Sequence, residues 1–370
     1  MGGVVKRAFK YRFHPSPEQA DLLNRTFGCV RLVYNRALAE RTRVYATERR
    51  SMTYVESSAV LAGWKREPEL AFLNEVSSVP LQQTLRHQQA GFTAFFAKRA
   101  GYPRFKSKRR SRASAEFTRS AFRWAQGQLT LAKMRDPLAI VWSRPLPDGA
   151  EPSTVTVSRD SSGRWFVSIL VEDPTVAPLP PSDRHVGLDA GLTSLVTSST
   201  GEKVANPRHE RRDRRKLAQA QRELSRKQKD SNNHARARLR VARIHARIAD
   251  RRRDLLHKLS TRLVRENQTV VIEDLGVRGM LRNHRLARAI SDAAWSDLRR
   301  LLEYKCAWYG RDLRVVDRWY PSSKLCSICG RATDTMPLAV RSWTCLGCDA
   351  VHDRDVNAAR NILAAGLAER

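Results

Sequence analysis

The sequence predicts a multidomain α/β protein on three observations: its length, the alternation of strand-like and helix-like periodicities along it, and a proline-rich break near residue 181. A chain of 370 residues, 41% of them hydrophobic, can bury sizeable cores, and its length favours two or three domains over one. Its 68 Lys and Arg stand against 37 Asp and Glu, a formal net charge of +31. A GC-rich genome, whose codons favour arginine, would account for 54 Arg beside 14 Lys, but not for the imbalance between the signs. Such a charge repels itself in a compact chain and attracts phosphate backbones. Nucleic acid is therefore the expected partner, ahead of acidic membranes or acidic proteins.

The opening "VKRAFKYRFH" alternates as a strand does, and "PSPEQ" then starts a helix with Leu23, Phe27, Val30, Tyr34 and Leu38 on one face. Arg25, Asn35 and Arg36 fall on the opposite face, the two arginines as candidate nucleic-acid contacts. A second helix fits "LQQTLRHQQAGFTAFFAKR", with Leu81, Leu85, Phe92 and Phe96 along one side. These stripes are expected to be the core of a helical lobe inserted after the strand. Next, "GYPRFKSKRRSR" interleaves Arg104, Lys106 and Lys108 with Tyr102 and Phe105; by itself it fits a solvated loop as well as a nucleic-acid contact. "STVTVSRDSSGRWFVSILVE" reads as a hairpin and predicts a β-barrel-like module. Four prolines in "DPTVAPLPPSDR" mark the linker.

Beyond it, "HVGLDAGLTSLVTSSTGEKV" reads as strand, tight turn, strand, turn. Residues 208–253 hold 18 Lys and Arg but 5 acids in 46 residues, with apolar positions spaced for two long helices around "KDSNN". This basic hairpin, carrying Arg211, Arg215, Arg222 and Arg226, is expected to lie along phosphates rather than repel itself in water. "QTVVIEDLGV" is a buried strand, "SDAAWSDLRRLLEYKCAWYG" a helix capped by Ser291 and Gly310, and "LRVVDRWY" another strand. Cys306 falls on that helix's apolar face as a core thiol. No apolar stretch is long enough to span a bilayer, and the first fifteen residues have no signal-peptide core. A cytoplasmic protein without a membrane partner is expected.

Cys326, Cys329, Cys345 and Cys348 follow C-x₂-C-x₁₅-C-x₂-C, a zinc spacing. Four thiolates complete a tetrahedron, so this zinc would be structural, with no open position for water. His352 is nearby but supernumerary to a complete set.

Carboxylates form the second constellation. Asp189 ends an apolar run in "HVGLDAG", Glu273 and Asp274 end another, and Asp353 and Asp355 precede the last helix. Acids brought together at the ends of buried strands are costly unless they hold a cation. Magnesium suits such oxygen ligands, and a pair of ions about 3.5 to 4 Å apart suits phosphoryl chemistry. The residues alone do not choose between Glu273 and Asp274, or between Asp353 and Asp355. The order of elements, an acid on a strand hairpin, on a later strand and at the start of the final helix, is that of an RNase H-like nuclease domain.

Along most of its length the sequence resembles TnpB, the insertion-sequence-encoded RNA-guided endonucleases related to type V CRISPR effectors. The resemblance rests on "KYRFHPSPEQADLLNRTFGCVRLVYNRAL", "GYPRFKSK", "GLDAGLTSLVTSS", "VVIEDLGVRGM", "YPSSKLCSICG" and "HDRDVNAARNIL". It implies RuvC-type catalytic acids at Asp189, Glu273 and Asp355, with Asp353 the fallback, and a zinc finger at the four cysteines. One departure is Asp349 after Cys348, where the family usually has Gly; Asp tolerates left-handed backbone well.

The resemblance further implies a wedge domain, β-barrel-like, over 1–15 and 101–180, and a recognition lobe over 16–100. A nuclease domain would span 181–324 and 350–370, with the finger at 325–349. The implied partners are a guide RNA transcribed near the protein's own gene and a target DNA carrying a short flanking motif. The implied setting is the bacterial cytoplasm and nucleoid, with a monomer favoured. A nuclease-inactive RNA-guided repressor, a strand-transferring transposase and a non-catalytic zinc RNA-binding protein are the alternatives. Because the second cysteine pair leads directly into Asp353 and Asp355, zinc is expected to fix where Asp355 points.

Overall fold

Alternation in the first strand sorts its side chains. In a computed structural model describing residues 5–109, 111–337 and 339–368, β1 (Val5–His14) buries Phe9, Tyr11 and Phe13 and leaves Lys10 and Arg12 in water. Arg110 of the basic run lies outside the described residues, as do the chain's first four and last two positions. Helix α1 (Pro17–Glu48) starts with a capping box between Ser16 and Gln19 and buries the expected stripe from Leu23 to Leu38. It is followed by α2 (Tyr54–Trp64), a 3₁₀ turn at Pro68–Asn74 and α3 (Ser78–Phe96). Helix α2 was not legible, because its apolar residues surround the helix and only Ser57 and Leu61 are buried. On α3, Leu81, Leu85 and Phe92 are buried, but Phe96 is 64% exposed, so the stripe ends one turn early.

The strands that follow are β2 (Ala113–Thr118), β3 (Phe122–Ala125), β4 (Gln128–Leu131), β5 (Ala139–Val141), β6 (Thr154–Arg159) and β7 (Trp165–Asp173). Four of them join β1 in a five-stranded antiparallel sheet in the order β2-β6-β7-β1-β5, while β3 and β4 pair separately. The barrel-like expectation is corrected here: the sheet stays open, with β2 and β5 as its edges. Closure would need the two edges to hydrogen-bond to one another. Instead the sheet's inner face packs on the helices, Phe9, Phe13, Val157 and Ile169 sharing one core with Leu23, Phe27, Leu81 and Leu85. This first unit ends at Thr175.

The second unit, Val176–Arg370, begins with the rest of the proline run, anchored where Arg311 donates to the Pro180 carbonyl at 2.9 Å. Strands β8 (His185–Ala190), β9 (Ser194–Ser198) and β10 (Lys203–Ala205) form a meander. The basic helices α4 (His209–Ser225) and α5 (Asn232–Glu266) then carry the chain to β11 (Thr269–Glu273), parallel to β8. Short helices α6 (Val277–Met280) and α7 (Ala287–Ala293) precede α8 (Trp295–Tyr309), which crosses to β12 (Asp312–Val316), parallel to β11. Ser291 is not the cap of α8: it lies within α7, and the two helices join at Ala294, left-handed at φ 53°. Gly310 does end α8, at φ 61°. A hairpin of β13 (Ser342–Thr344) and β14 (Val351–Asp353) leads into the last helix, α9 (Arg354–Ala368).

The sheet order is β10-β9-β8-β11-β12. One face packs on α5 and α8 through Val186, Leu188 and Val270 against Leu259, Leu263, Leu298 and Leu302. The other receives α9, with Ile362 against Val271 and Val316. That approach needs glycine: a methyl group at Gly187 would overlap the Ala359 carbonyl and the backbone of Leu363, and one at Gly366 would strike Val271. Gly187→Ala is therefore expected to destabilise the unit by about 3 kcal/mol, the upper end for overpacking against backbone, measurable by denaturant unfolding. Among the described residues no helix is long and apolar enough to cross a membrane.

Candidate active site and metal centre

Because β8 and β11 are parallel with Leu188 opposite Ile272, their carboxyl ends share one sheet edge, and the next residues are Asp189 and Glu273. Side chains alternate along strands, so Asp189 shares a face with Gly187 and Glu273 with Val271. Both face α9, which brings Asp355 in its first turn.

The electrostatics register this convergence. Asp189 is pushed up to about 7 from an ordinary 3.8, first by withdrawal from water, then by the negative charges of Glu273 and Asp355; Arg354 and Arg341 offset part of the rise. Glu273 is also raised by burial, although the Ser322 hydroxyl donates to its Oε1 at 2.7 Å. Asp355 faces Arg341 at 3.5 Å.

The neighbouring acids are otherwise engaged. Asp274 turns to Arg299 at 2.7 Å and to Arg318, which together hold its carboxyl below the usual range. Asp353 caps α9, accepting the N–H groups of Asp355 and Val356 at 3.1 Å, and pairs with Lys203 at 2.6 Å. Tertiary contacts thus separate Glu273 from Asp274, and Asp355 from Asp353.

The four cysteines meet as the spacing anticipates, with all four sulfurs within 4.8 Å of one another. Sγ atoms of Cys326 and Cys348 are 3.7 Å apart and those of Cys329 and Cys345 3.6 Å apart. A zinc tetrahedron with bonds of about 2.3 Å has edges of about 3.8 Å, so the set fits zinc and not a disulfide, whose sulfurs lie about 2.05 Å apart. Burial opposes ionisation of Cys326, but backbone N–H groups of Cys329 and Ile328 and the His352 ring outweigh it, bringing the thiol to about 6. His352 is buried, with Nε2 at 3.1 Å from Cys326 Sγ and its ring against Trp343. Asp349 is left-handed at φ 55°. Among the described residues no other group of three or more His, Cys, Asp or Glu ligand atoms is gathered as tightly. Asp189, Glu273 and Asp355 are the second candidate ligand set. Their hard oxygens, two of them raised in pKa by burial, suit magnesium.

Sequence reasoning missed the residues that join these two centres. Asn357 donates to the Leu325 carbonyl at 2.7 Å and accepts the Ser327 N–H at 2.9 Å. One turn later, Asn361 donates to the carbonyls of Ser322 and Leu325 at 2.8 and 2.7 Å. The first turns of α9 are thereby bolted to the segment that carries Ser322 at one end and Cys326 at the other. Two asparagines four apart among the alanines and Ile362 of the helix's buried face were the available signal, since buried amides must find partners.

The arginines predicted to meet nucleic acid fall into two groups. Arg211, Arg215, Arg222 and Arg226 are exposed, share one face of α4 by their 100° spacing, and make no ion pair among the described residues. Arg25 is already paired with Asp21 at 3.1 Å and Glu75 at 2.6 Å, and Arg36 with Glu67 at 3.3 Å. Lys106 is half-buried 4.0 Å over the Tyr34 ring, its pKa lowered by burial, while Arg104 and Lys108 are exposed.

Known proteins share this organisation. A family model described as "Probable transposase" matches residues 168–284, which include Asp189 and Glu273, and one described as "Cas12f1-like, TNB domain" matches 295–362, which include the cysteines and Asp355. A third, described as "Helix-turn-helix domain", matches 1–50, a region whose described residues fold as β1 and the single helix α1. A Streptomyces pristinaespiralis protein named "Putative RNA-guided DNA endonuclease" is 70% identical over 98% of this chain and 90% of its own. Escherichia coli K12 InsQ, similarly named, is 35% identical over 98% of this chain and 92% of its own. The chain in a cryo-EM structure of a Cas12f1-sgRNA-target DNA complex shares the fold, with a TM-score of 0.59 at 13% identity, over 97% of this chain and 98% of that one. With identities of 70% and 35% sustained over nearly its whole length, the chain belongs to the TnpB family.

Proposed function

We propose that this protein is an RNA-guided DNA endonuclease of a bacterial transposable element, cutting target DNA by metal-dependent hydrolysis at Asp189, Glu273 and Asp355. The observation that carries the reading is the placement of Asp189 and Glu273 at the ends of two parallel strands, facing the helix whose first turn bears Asp355; burial, and then the charges of Glu273 and Asp355, raise Asp189 accordingly. The full-length relatives named RNA-guided DNA endonucleases support it.

In this reading the second unit is an RNase H-like, RuvC-type domain with an inserted zinc finger. The first combines a wedge module with a recognition lobe. Magnesium held by the three carboxylates, two ions in the expected arrangement, would supply Lewis acidity and an activated water. The chain's own residues prepare that site. Ser322 fixes one oxygen of Glu273, Asp353 orients the first turn of α9, and Arg341 offsets the charge of Asp355. The arginine face of α4 lies along the backbone of a guide RNA, leaving sequence to be read by base pairing. The setting is the bacterial cytoplasm, in association with the nucleoid.

The test is to sequence the RNA that co-purifies when the protein is expressed with its native flanking DNA, and to supply that complex with matched DNA and magnesium. One abundant RNA with a constant scaffold and a variable end, together with cut DNA, is the expected result. A random mixture of cellular RNA overturns guided recognition, and a specific RNA with uncut DNA overturns the nuclease.

A further inference from the structure

The loop between β12 and the first cysteine pair carries an aromatic side chain for which the site described above has no use. Trp319 is 84% exposed, whereas Trp295 is 5% exposed in the core. An indole is the largest apolar side chain and ordinarily buries most of its surface. Its backbone is not loose: the Trp319 N–H donates to Asp317 Oδ1 at 2.8 Å, and the Tyr320 N–H to the Asp317 carbonyl at 3.1 Å. The loop is pinned on both sides of the indole to consecutive residues at the end of β11. Arg318 pairs with Asp274, and the buried Ser322 donates to Glu273. The backbone that carries this exposed indole is thus tied, through its neighbours, to the strand end that bears Glu273.

Its charged neighbour decides what it meets. Arg318, the residue before it in the chain, is half exposed; further along the segment Lys324 is exposed, and Arg341 beside Asp355 is 61% exposed at its side chain. An aromatic face next to a cation is what binds a single nucleic-acid strand, the base stacking while the phosphate finds the charge. A duplex offers no free base face, so the strand must be single. We propose that Trp319 is a stacking platform for a base of the single DNA strand undergoing cleavage, a positioning residue that sets the neighbouring phosphate before Asp189 and Glu273. This rests on the nuclease reading given above.

The experiment uses the protein–RNA complex carrying Asp189→Ala, so that no strand is consumed, and fluorescein-labelled DNA single strands with one abasic site moved along them. Binding is read by anisotropy. Without Trp319→Ala, one abasic position is expected to weaken binding roughly 5- to 150-fold, the range for loss of one stacked base. With Trp319→Ala the intact strand should weaken by a similar factor, and the abasic position should then have no further effect. Trp319→Phe should restore both the affinity and the abasic sensitivity. Equal abasic sensitivity with and without Trp319 overturns the proposal, as does a change in oligomeric state on Trp319→Ala without loss of strand affinity, which would make the indole a contact between copies. Cleavage by the complex with intact Asp189 is assayed separately, so failure to cut counts against the nuclease reading and leaves the binding result to judge Trp319.

Discussion

Asp189→Asn is expected to abolish metal-dependent cleavage, by about 1,000-fold or more, equivalent to about 4 kcal/mol on the barrier, and yet to yield a metal-free protein that is more stable at pH 8. The second half follows from the first site's electrostatics. Below about pH 4 Asp189 is protonated in both the folded and the unfolded chain, and the substitution changes little. Between about pH 4 and 7 the folded chain keeps a proton that the unfolded chain releases, so stability falls as pH rises and levels off above about 7. The rise from 3.8 to about 7 corresponds to an upper bound of about 4 kcal/mol. Asparagine escapes that loss, and its melting temperature at pH 8 without metal should exceed that of the unsubstituted protein by several degrees. Magnesium should stabilise the unsubstituted protein and not the variant. Equal melting temperatures at pH 8 would sink the account of three acids strained against one another. Asp353→Ala makes the control: loss of a helix cap costs about 1 kcal/mol, so its melting temperature at pH 8 should fall where that of Asp189→Asn rises.

Cys345→Ser is expected to remove the zinc and lower cleavage by about 100-fold, with co-purifying RNA retained. The reason lies in how both knuckles are fastened to α9. The second runs through β14 directly into the helix. The first is clamped to it by Asn357 and Asn361. Structural zinc supplies roughly 10 kcal/mol or more to the order of such a loop, and without it Ser322 and Asp355 lose their shared frame. Asn357→Ala separates the two effects: zinc content, measured by metal analysis, should stay at one per chain while cleavage falls about 10-fold, the usual cost of removing an outer-shell support. A zinc-free protein with full activity would show that the finger does not position the acids.

Much of this molecule was legible without coordinates, because the signals were local. The alternation of β1, the stripe of α1, the glycine after α8 and the cysteine spacing depend only on residues a few positions apart. The family resemblance then pointed to Asp189, Glu273 and Asp355, which the fold sets at two parallel strand ends and in the first turn of α9. What failed was decided by packing at long range. Whether the first sheet closes depends on where its edges lie, and helices occupy the face a barrel would have enclosed. Phe96 continues a periodic stripe past the point where there is anything to cover it. Ser291 has the chemistry of a cap, but the chain bends at Ala294 instead.

The choice between neighbouring acids shows the division most plainly. By itself the sequence determined that carboxylates end two apolar strands and begin one helix, and that four thiolates can close on a metal. Physics at that level could not prefer Glu273 to Asp274, or Asp355 to Asp353, since each pair has the same charge and nearly the same place. Only the tertiary structure brought Arg299 and Arg318 to Asp274 and Lys203 to Asp353, leaving Glu273 and Asp355 to face Asp189. The partners that engage Asp274 and Asp353 come from segments 25 to 150 residues away in the chain, a distance over which no local pattern carries information.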